Sequence, residues 1–186
     1  MNVQPHMRMD KITFLAWLDG REEPSELVDG RVVMMTRPSR AHAMIVGNLL
    51  VSLRRQLDPK LWTVIAEFGL DAGPGTVRFP DIVVDTAGGG RGDLTASAPA
   101  LLAEVLSPST ARFDLGDKAA EFLRLPTLRA YVVLAQDEAK AWSWIRMPEG
   151  FTPGPAVTSG EAAAIGIPAL GLELALSEIY AGIAFD

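Results

Sequence analysis

Two acidic residues stand alone inside apolar segments of this chain. Glu104 lies in LLAEVL, residues 101–106, and Asp81 lies in VRFPDIVV, residues 77–84. Short apolar segments of this kind predict buried strands. An ionised carboxylate in a buried strand is costly unless a charged partner or a metal neutralises it. One acid on each of two central strands therefore predicts a carboxylate site for a hard cation such as Mg²⁺.

Two further charged residues follow the strand of Glu104. Ser107-Pro108 ends that strand, and Asp114 and Lys118 come one helical turn apart behind it. Each of these charges also has a purely structural interpretation. Glu104 and Lys118 can form a buried ion pair, and Asp114 can cap the helix or pair with the lysine. Asp81, which follows a proline, can be an acid at a strand end in water.

The segments before these acids predict a helix and a hairpin. Asp10 can cap a helix that runs to Leu18, with either Ile12 or Phe14 completing its apolar face. Asp29-Gly30 separates the predicted strand at 26–28 from the apolar residues 32–35, and Asp-Gly in this position predicts a tight hairpin turn.

A long helix is predicted after Pro38-Ser39. Ser39 can cap it, and apolar residues then recur every four positions at Ile45, Leu49, Leu53 and Leu57. Asp58-Pro59 ends the pattern. No other segment of the chain is as regular.

The remaining segments complete a mixed sheet. Strands are predicted at 61–70, 76–85, 131–134 and 140–145, and a short one near 163–165. A helix from Thr110 or Asp114 to Leu123 connects the strand of Glu104 to the strand at 131–134, and such a crossover makes the pair parallel. The chain is therefore predicted to be one α/β or α+β domain over residues 1–186, with a mixed sheet flanked by helices.

Composition narrows the class of protein. The 186 residues are 48% hydrophobic and 22% charged, as in an ordinary globular domain, and there is no cysteine, which fits a reducing cytoplasm. No apolar run approaches the about 20 residues of a membrane span. The net charge of −6 argues against broad, charge-driven binding to nucleic acid, although a local basic groove is compatible with it.

Several of these motifs together resemble a known family. ELVDG at 26–30, Pro38-Ser39 with His42, Pro80-Asp81, and EVLSPST at 104–110 followed by Asp114 and Lys118 look like the Uma-type family of putative restriction endonucleases. That family is part of the PD-(D/E)XK nuclease superfamily. The resemblance extends from the first predicted helix to the tail, and EVLSPST with its following acid and lysine is its most specific part.

The resemblance implies a function and a set of site residues. It implies cleavage of DNA phosphodiester bonds with Mg²⁺ or Mn²⁺, often by a homodimer. Asp81, Glu104 and the carbonyl of Val105 would hold the metal, and Glu26 would be an additional acid of the catalytic site. Leu106 stands where the usual motif has its lysine, so the family pattern assigns that role to Lys118. We expect the Lys118 ammonium within hydrogen-bonding or one-water reach of Glu104, with Asp81 the next acid beyond.

A second hypothesis has the same fold without catalysis. In this hypothesis the chain is a dimeric binding or regulatory module, and the acidic net charge slightly favours it. His42 is either a polar residue of a first helical turn or a phosphate contact near the site. Trp142 and Trp144 alternate on one strand, where we expect them to pack in the core or at a dimer surface, and a homodimer is predicted from that apolar surface.

Overall fold

Residues 8–35, 37–106 and 114–185 are described by the computed structural model. Their strands are β1 (Ser25–Val28), β2 (Arg31–Met34), β3 (Trp62–Ala66), β4 (Leu70–Gly73), β5 (Thr76–Arg78), β6 (Ile82–Thr86), β7 (Leu101–Val105), β8 (Ala130–Leu134), β9 (Lys140–Ile145), β10 (Ala156–Ser159), β11 (Ala164–Ile167) and β12 (Leu172–Ala175). Their helices are α1 (Lys11–Leu18), α2 (Arg40–Gln56), a π-helical turn (Asp114–Lys118) leading into α3 (Ala119–Phe122), a 3₁₀ turn (Pro168–Leu170) and α4 (Leu176–Ile179).

The predicted N-terminal helix and hairpin are confirmed, and the structure shows which apolar face of the helix is buried. The Asp10 side chain accepts a hydrogen bond from the Thr13 N–H and caps α1. Of the two possible apolar faces, the one with Phe14 is buried, whereas the side chain of Ile12 is 83% exposed. The β1–β2 hairpin turns through Asp29 and Gly30, whose φ angles are both positive, as a type I′ turn requires.

The larger sheet is mixed, as predicted, and has the strand order β10-β9-β8-β7-β6-β3. β7 and β8 are parallel, and the other neighbouring pairs are antiparallel. The predicted helical crossover therefore lies between β7 and β8. One face of the sheet packs on α2, α4, β11 and β12, and the other face packs on α3 and β4.

The prediction of two long strands, at 61–70 and 76–85, was wrong. Each divides into two shorter strands that enter different sheets: β3 and β6 join the larger sheet, and β4 and β5 join a smaller one of order β2-β1-β5-β4. The first breaks at Glu67, whose φ is 50°. The second breaks at Pro80, which has no N–H to donate to a neighbouring strand. Asp81 consequently lies at the junction of the two sheets rather than within a strand.

Gly69 is required by close contact at this junction. Its carbonyl accepts a hydrogen bond from the Ala96 N–H at 2.8 Å, and a Cβ atom at this position would overlap the carbonyl oxygen of Leu94. We expect Gly69→Ala to lower the free energy of unfolding by about 1–3 kcal/mol, the usual cost of overpacking, in a urea titration. Gly47 in α2 is the matched control, because a Cβ atom added there would meet no other atom within 4 Å. Gly47→Ala should instead stabilise the protein slightly. Equal effects of both substitutions would contradict this account.

The C-terminal part contains two strands that the sequence analysis did not predict, β10 and β12. β10 is a mostly exposed edge strand paired with β9, so it lacks the alternating apolar pattern of a half-buried strand. On β9, Trp144 is buried and stacks on Tyr131, and Trp142 packs against the same core cluster. The two tryptophans therefore pack within the chain, and the homodimer stays a prediction. None of the helices in the three described ranges has the length and apolar character that a membrane crossing needs.

Candidate active site

Glu104 lies on the face of the larger sheet that carries α3. Leu101, Ala103 and Val105 of β7 pack on the α2 side, so the alternating residues 102, 104 and 106 point the other way. The Glu104 residue is only 5% exposed, and its Oε1 accepts a hydrogen bond from Lys118 Nζ at 2.8 Å. The predicted contact between Lys118 and Glu104 is confirmed as geometry.

Lys118 reaches the site from the turn that follows β7. It is the last residue of the π-helical turn, it is 5% exposed, and Glu26 Oε1 lies 3.7 Å from its Nζ. We expected Asp81 to be the next acid beyond Glu104, but the ion pair found here is with Glu26. Leu106, at the usual lysine position, is buried in the core cluster that includes Phe122.

Asp81 is held at the start of β6 by two hydrogen bonds. Its Oδ2 accepts from the Val105 N–H at 2.7 Å, and its Oδ1 lies 3.0 Å from His42 Nε2. Ile82 pairs with Ala103, so one residue further along this antiparallel ladder places Asp81 opposite Glu104. The N–H and C=O of an extended residue point to the same side, so the Val105 carbonyl lies on the β6 side of β7, the side on which the Val105 N–H meets Asp81.

His42 is brought to Asp81 by the start of α2. Ser39 caps this helix by accepting a hydrogen bond from the His42 N–H, and this fixes the first turn in which His42 lies. The sequence left two roles open for His42. The structure places its side chain in contact with a predicted metal ligand, and its ring must donate the Nε2 proton when Asp81 is ionised.

Arg78 is a member of the site that the sequence analysis missed. It is 1% exposed, and it donates to Glu26 Oε2 at 3.0 Å and to both oxygens of Glu121 at 2.9 and 2.7 Å. Burial alone would lower its pKa, but the hydrogen bond and charge of Glu121 and those of Glu26 outweigh burial and raise it. The sequence did contain a signal for it, because Arg78 is a charged residue inside an apolar segment. The same kind of observation identified Glu104.

These charges form one cluster with a negative balance. Lys118 pairs with Glu104 and Glu26, Arg78 pairs with Glu26 and Glu121, and Asp81 contacts His42. These four carboxylates and two cations leave two net negative charges when His42 is neutral. All but Arg78 and Glu121 line a cleft of about 780 Å³, together with Val105 and the exposed Arg21 and Arg37. A divalent cation in this cleft would neutralise these two net negative charges.

The donor types at the cleft suit a hard cation. Two carboxylates and a backbone carbonyl are the oxygen ligands that Mg²⁺ takes from proteins, with water in its other positions. Within the part of the chain described, no three acidic, histidine or cysteine side chains converge as a ready metal cage. The predicted set of Asp81, Glu104 and Val105 O contains only two such side chains, so that observation does not test it.

Part of the motif lies outside the described residues. This holds for Ser107 to Phe113, including the predicted helix start at Thr110, and for the side chain of Asp114. The helix after them is shorter than predicted and ends at Phe122, before Pro126 as expected.

Comparison with known proteins identifies relatives of the whole chain. Residues 13–177 match the model of the Uma2 family, described as "Putative restriction endonuclease". The uncharacterized protein slr1290 of Synechocystis sp. is 23% identical over 195 residues, which cover 97% of this chain and 96% of that protein. The uncharacterized protein sll1609 of the same organism is 25% identical over 127 residues, 61% of this chain and 67% of that protein.

A solved structure has a similar fold. The crystal structure of a putative nuclease from Anabaena variabilis superposes with a TM-score of 0.75, covering 92% of this chain and 97% of that one at 18% identity. This similarity confirms the predicted fold class, a mixed sheet flanked by helices.

Proposed function

The chain belongs to the Uma2 family of putative restriction endonucleases, and from this premise we propose that it hydrolyses DNA phosphodiester bonds with Mg²⁺ or Mn²⁺. One observation carries the proposal: Asp81, just before β6, and Glu104, on the neighbouring β7, line one cleft, where a buried lysine contacts Glu104 at 2.8 Å. Two acids that can hold a divalent cation beside a fixed ammonium can stabilise the negative charge that develops in phosphodiester hydrolysis.

The proposed cation site uses three oxygen donors. Asp81, Glu104 and the Val105 carbonyl would hold the cation. When bound, it would neutralise charge on the phosphate and lower the pKa of a coordinated water. His42 and the Val105 N–H orient the Asp81 carboxylate, a role that hydrogen-bonded neighbours of metal ligands commonly have.

Lys118 supplies positive charge next to the acids. It lies between Glu104 and Glu26, so we assign it a role through its charge and its N–H donors rather than as a base. The ammonium would stabilise the negative charge that develops on the phosphate. Arg21 and Arg37 also line the cleft and would be the contacts for a DNA backbone. The cleft as a whole is not basic, because it is also lined by Glu22, Glu23 and Glu67.

Metal binding tests this site directly. We expect Mn²⁺ to bind the wild type in calorimetry and to bind Asp81→Asn/Glu104→Gln at least about 100-fold more weakly, because both carboxylate ligands are lost. Glu138→Gln neutralises an exposed acid that pairs only with Lys140 in the described contacts, and it should bind as the wild type does. Equal affinity of the double variant and the wild type would remove the proposed site.

Cleavage assays separate the two functional hypotheses. Plasmid, linear and single-stranded DNA would each be incubated with Mg²⁺ or Mn²⁺, with Asp81→Asn as the inactive control. A catalytically silent dimeric module would leave every DNA intact even when the cation is bound.

A further inference from the structure

We infer that Glu26 is the permanent counter-ion of Lys118 rather than a ligand of the cation, and that Arg78 positions it for this task. The inference deepens the proposed function and rests on it for the cation. It replaces the expectation that Glu26 is an additional acid of the catalytic site with a positioning role that acts through Lys118.

Both carboxylate oxygens of Glu26 already have donors. Oε2 accepts from Arg78 at 3.0 Å, whereas Oε1 accepts from the Phe79 N–H at 3.2 Å and lies 3.7 Å from Lys118 Nζ. Glu26 is 4% exposed. Glu26 thus lies between two cationic groups, which would repel a divalent cation, whereas the two groups in contact with the Asp81 carboxylate are a backbone N–H and an imidazole.

Arg78 fixes Glu26 to the helix that follows Lys118. Its planar guanidinium donates to Glu26 on β1 and to both oxygens of Glu121 on α3. Because the guanidinium fork is rigid and Glu121 holds its other side, Glu26 cannot move away from Arg78 without losing their hydrogen bond. Arg78 thereby holds β1 and the region of Lys118 at a constant separation.

Lys118 needs this second carboxylate when Glu104 is shared with a cation. A buried ammonium is costly without an opposite charge, and a divalent ion at Glu104 would weaken its attraction for the lysine. Glu26 keeps an anion beside the ammonium whether or not the cation is bound. Glu26 would therefore hold Lys118 in place in both states of the cation site.

Calorimetry with Mn²⁺ tests whether Glu26 is a ligand. The variant Glu26→Gln/Arg78→Gln removes one negative and one positive charge together, so the long-range attraction for a cation is conserved. We expect its Mn²⁺ affinity to stay within about tenfold of the wild type, in contrast to Asp81→Asn. A larger loss would overturn the inference.

A metal-free melting cycle tests the pairing itself. The Tm would be measured for the wild type, Glu26→Gln, Lys118→Met and the double variant. We expect Glu26→Gln to lower Tm by at least about 3 °C more in the wild type than in Lys118→Met, because its charge acts through the lysine. A smaller difference would overturn the pairing. If Glu26→Gln does not fold, Glu26→Asp takes its place in the cycle, with the same expectation.

Kinetics distinguish positioning from a purely structural role. At saturating Mn²⁺, Glu26→Gln should lower kcat for DNA cleavage about tenfold or more with KM unchanged, and should lower it no further in the Lys118→Met background. An unchanged kcat, or an equal further loss in that background, would overturn the positioning role. If the wild type neither binds Mn²⁺ nor cleaves DNA, the proposed function fails, and the melting cycle still decides the pairing.

Discussion

Replacing Arg78 with methionine is expected to lower the free energy of unfolding by about 3–5 kcal/mol, the usual result of removing one partner from a buried ion pair. The guanidinium is 1% exposed and neutralises Glu26 and Glu121 together. Methionine can fill much of the space, but it leaves the buried Glu26 facing a thioether. Because domains have only about 5–15 kcal/mol of stability in total, the loss should be evident in a urea titration.

Arg55 provides the matched control for this experiment. It is an exposed arginine in the last turn of α2, and Arg55→Met should change stability by no more than about 0.5 kcal/mol. If Arg78→Met unfolds at the same urea concentration as Arg55→Met, Arg78 does not hold the two glutamates in the way described.

Replacing Lys118 with methionine should reduce the kcat of DNA cleavage by about 100- to 1000-fold, the range seen when one group that stabilises transition-state charge is removed. Mn²⁺ binding should persist, because the lysine is not a ligand and its loss makes the cleft more negative. Both effects would be measured on one preparation, by calorimetry and by single-turnover cleavage.

The control for Lys118 is a lysine with a comparable pair at the surface. Lys140 Nζ lies 3.0 Å from Glu138 Oε1 at an exposed position, and Lys140→Met should keep full activity. Loss of Mn²⁺ binding in Lys118→Met would mean that the lysine organises the acids. An unchanged kcat would mean that the Lys118 ammonium does not take the proposed part in cleavage.

Much of the fold could be predicted from local patterns. The repeat at Ile45, Leu49 and Leu53 produces α2, and Asp29-Gly30 produces the hairpin turn, because each depends on residues that are neighbours in sequence. The division of the strands at Glu67 and Pro80 depends on which sheet each half joins. An apolar pattern shows that a segment is buried but does not show against what it is buried, so one long strand was predicted where there are two.

The same limit applies to the site. Glu104 was identified because an acid in a buried strand needs a partner, and Lys118 follows it closely enough for the crossover to bring them together. The charge of Arg78 is neutralised by Glu26 on β1 and Glu121 on α3. No residue near Arg78 in the sequence indicates either partner. Its position in a strand was evident, but Glu26 faces it from the neighbouring strand β1 of the smaller sheet, and Glu121 reaches it from α3, which packs on the larger sheet.

The distances along the chain between these ionic partners bear on the order in which the protein forms. Glu26 and Arg78 are 52 residues apart, and Arg78 and Glu121 are 43 apart. During synthesis Glu26 can therefore meet Arg78 only once β5 has been made and has paired with β1 in the smaller sheet, and Glu121 can join them only later. Contacts of such long range are slow to form because long loops must close first. We therefore expect the cleft to be among the last parts of the molecule to close, and separation of the two sheets would part Glu26 and Arg78 from Lys118, Glu104 and Glu121 while the hydrogen bonds within each sheet persist.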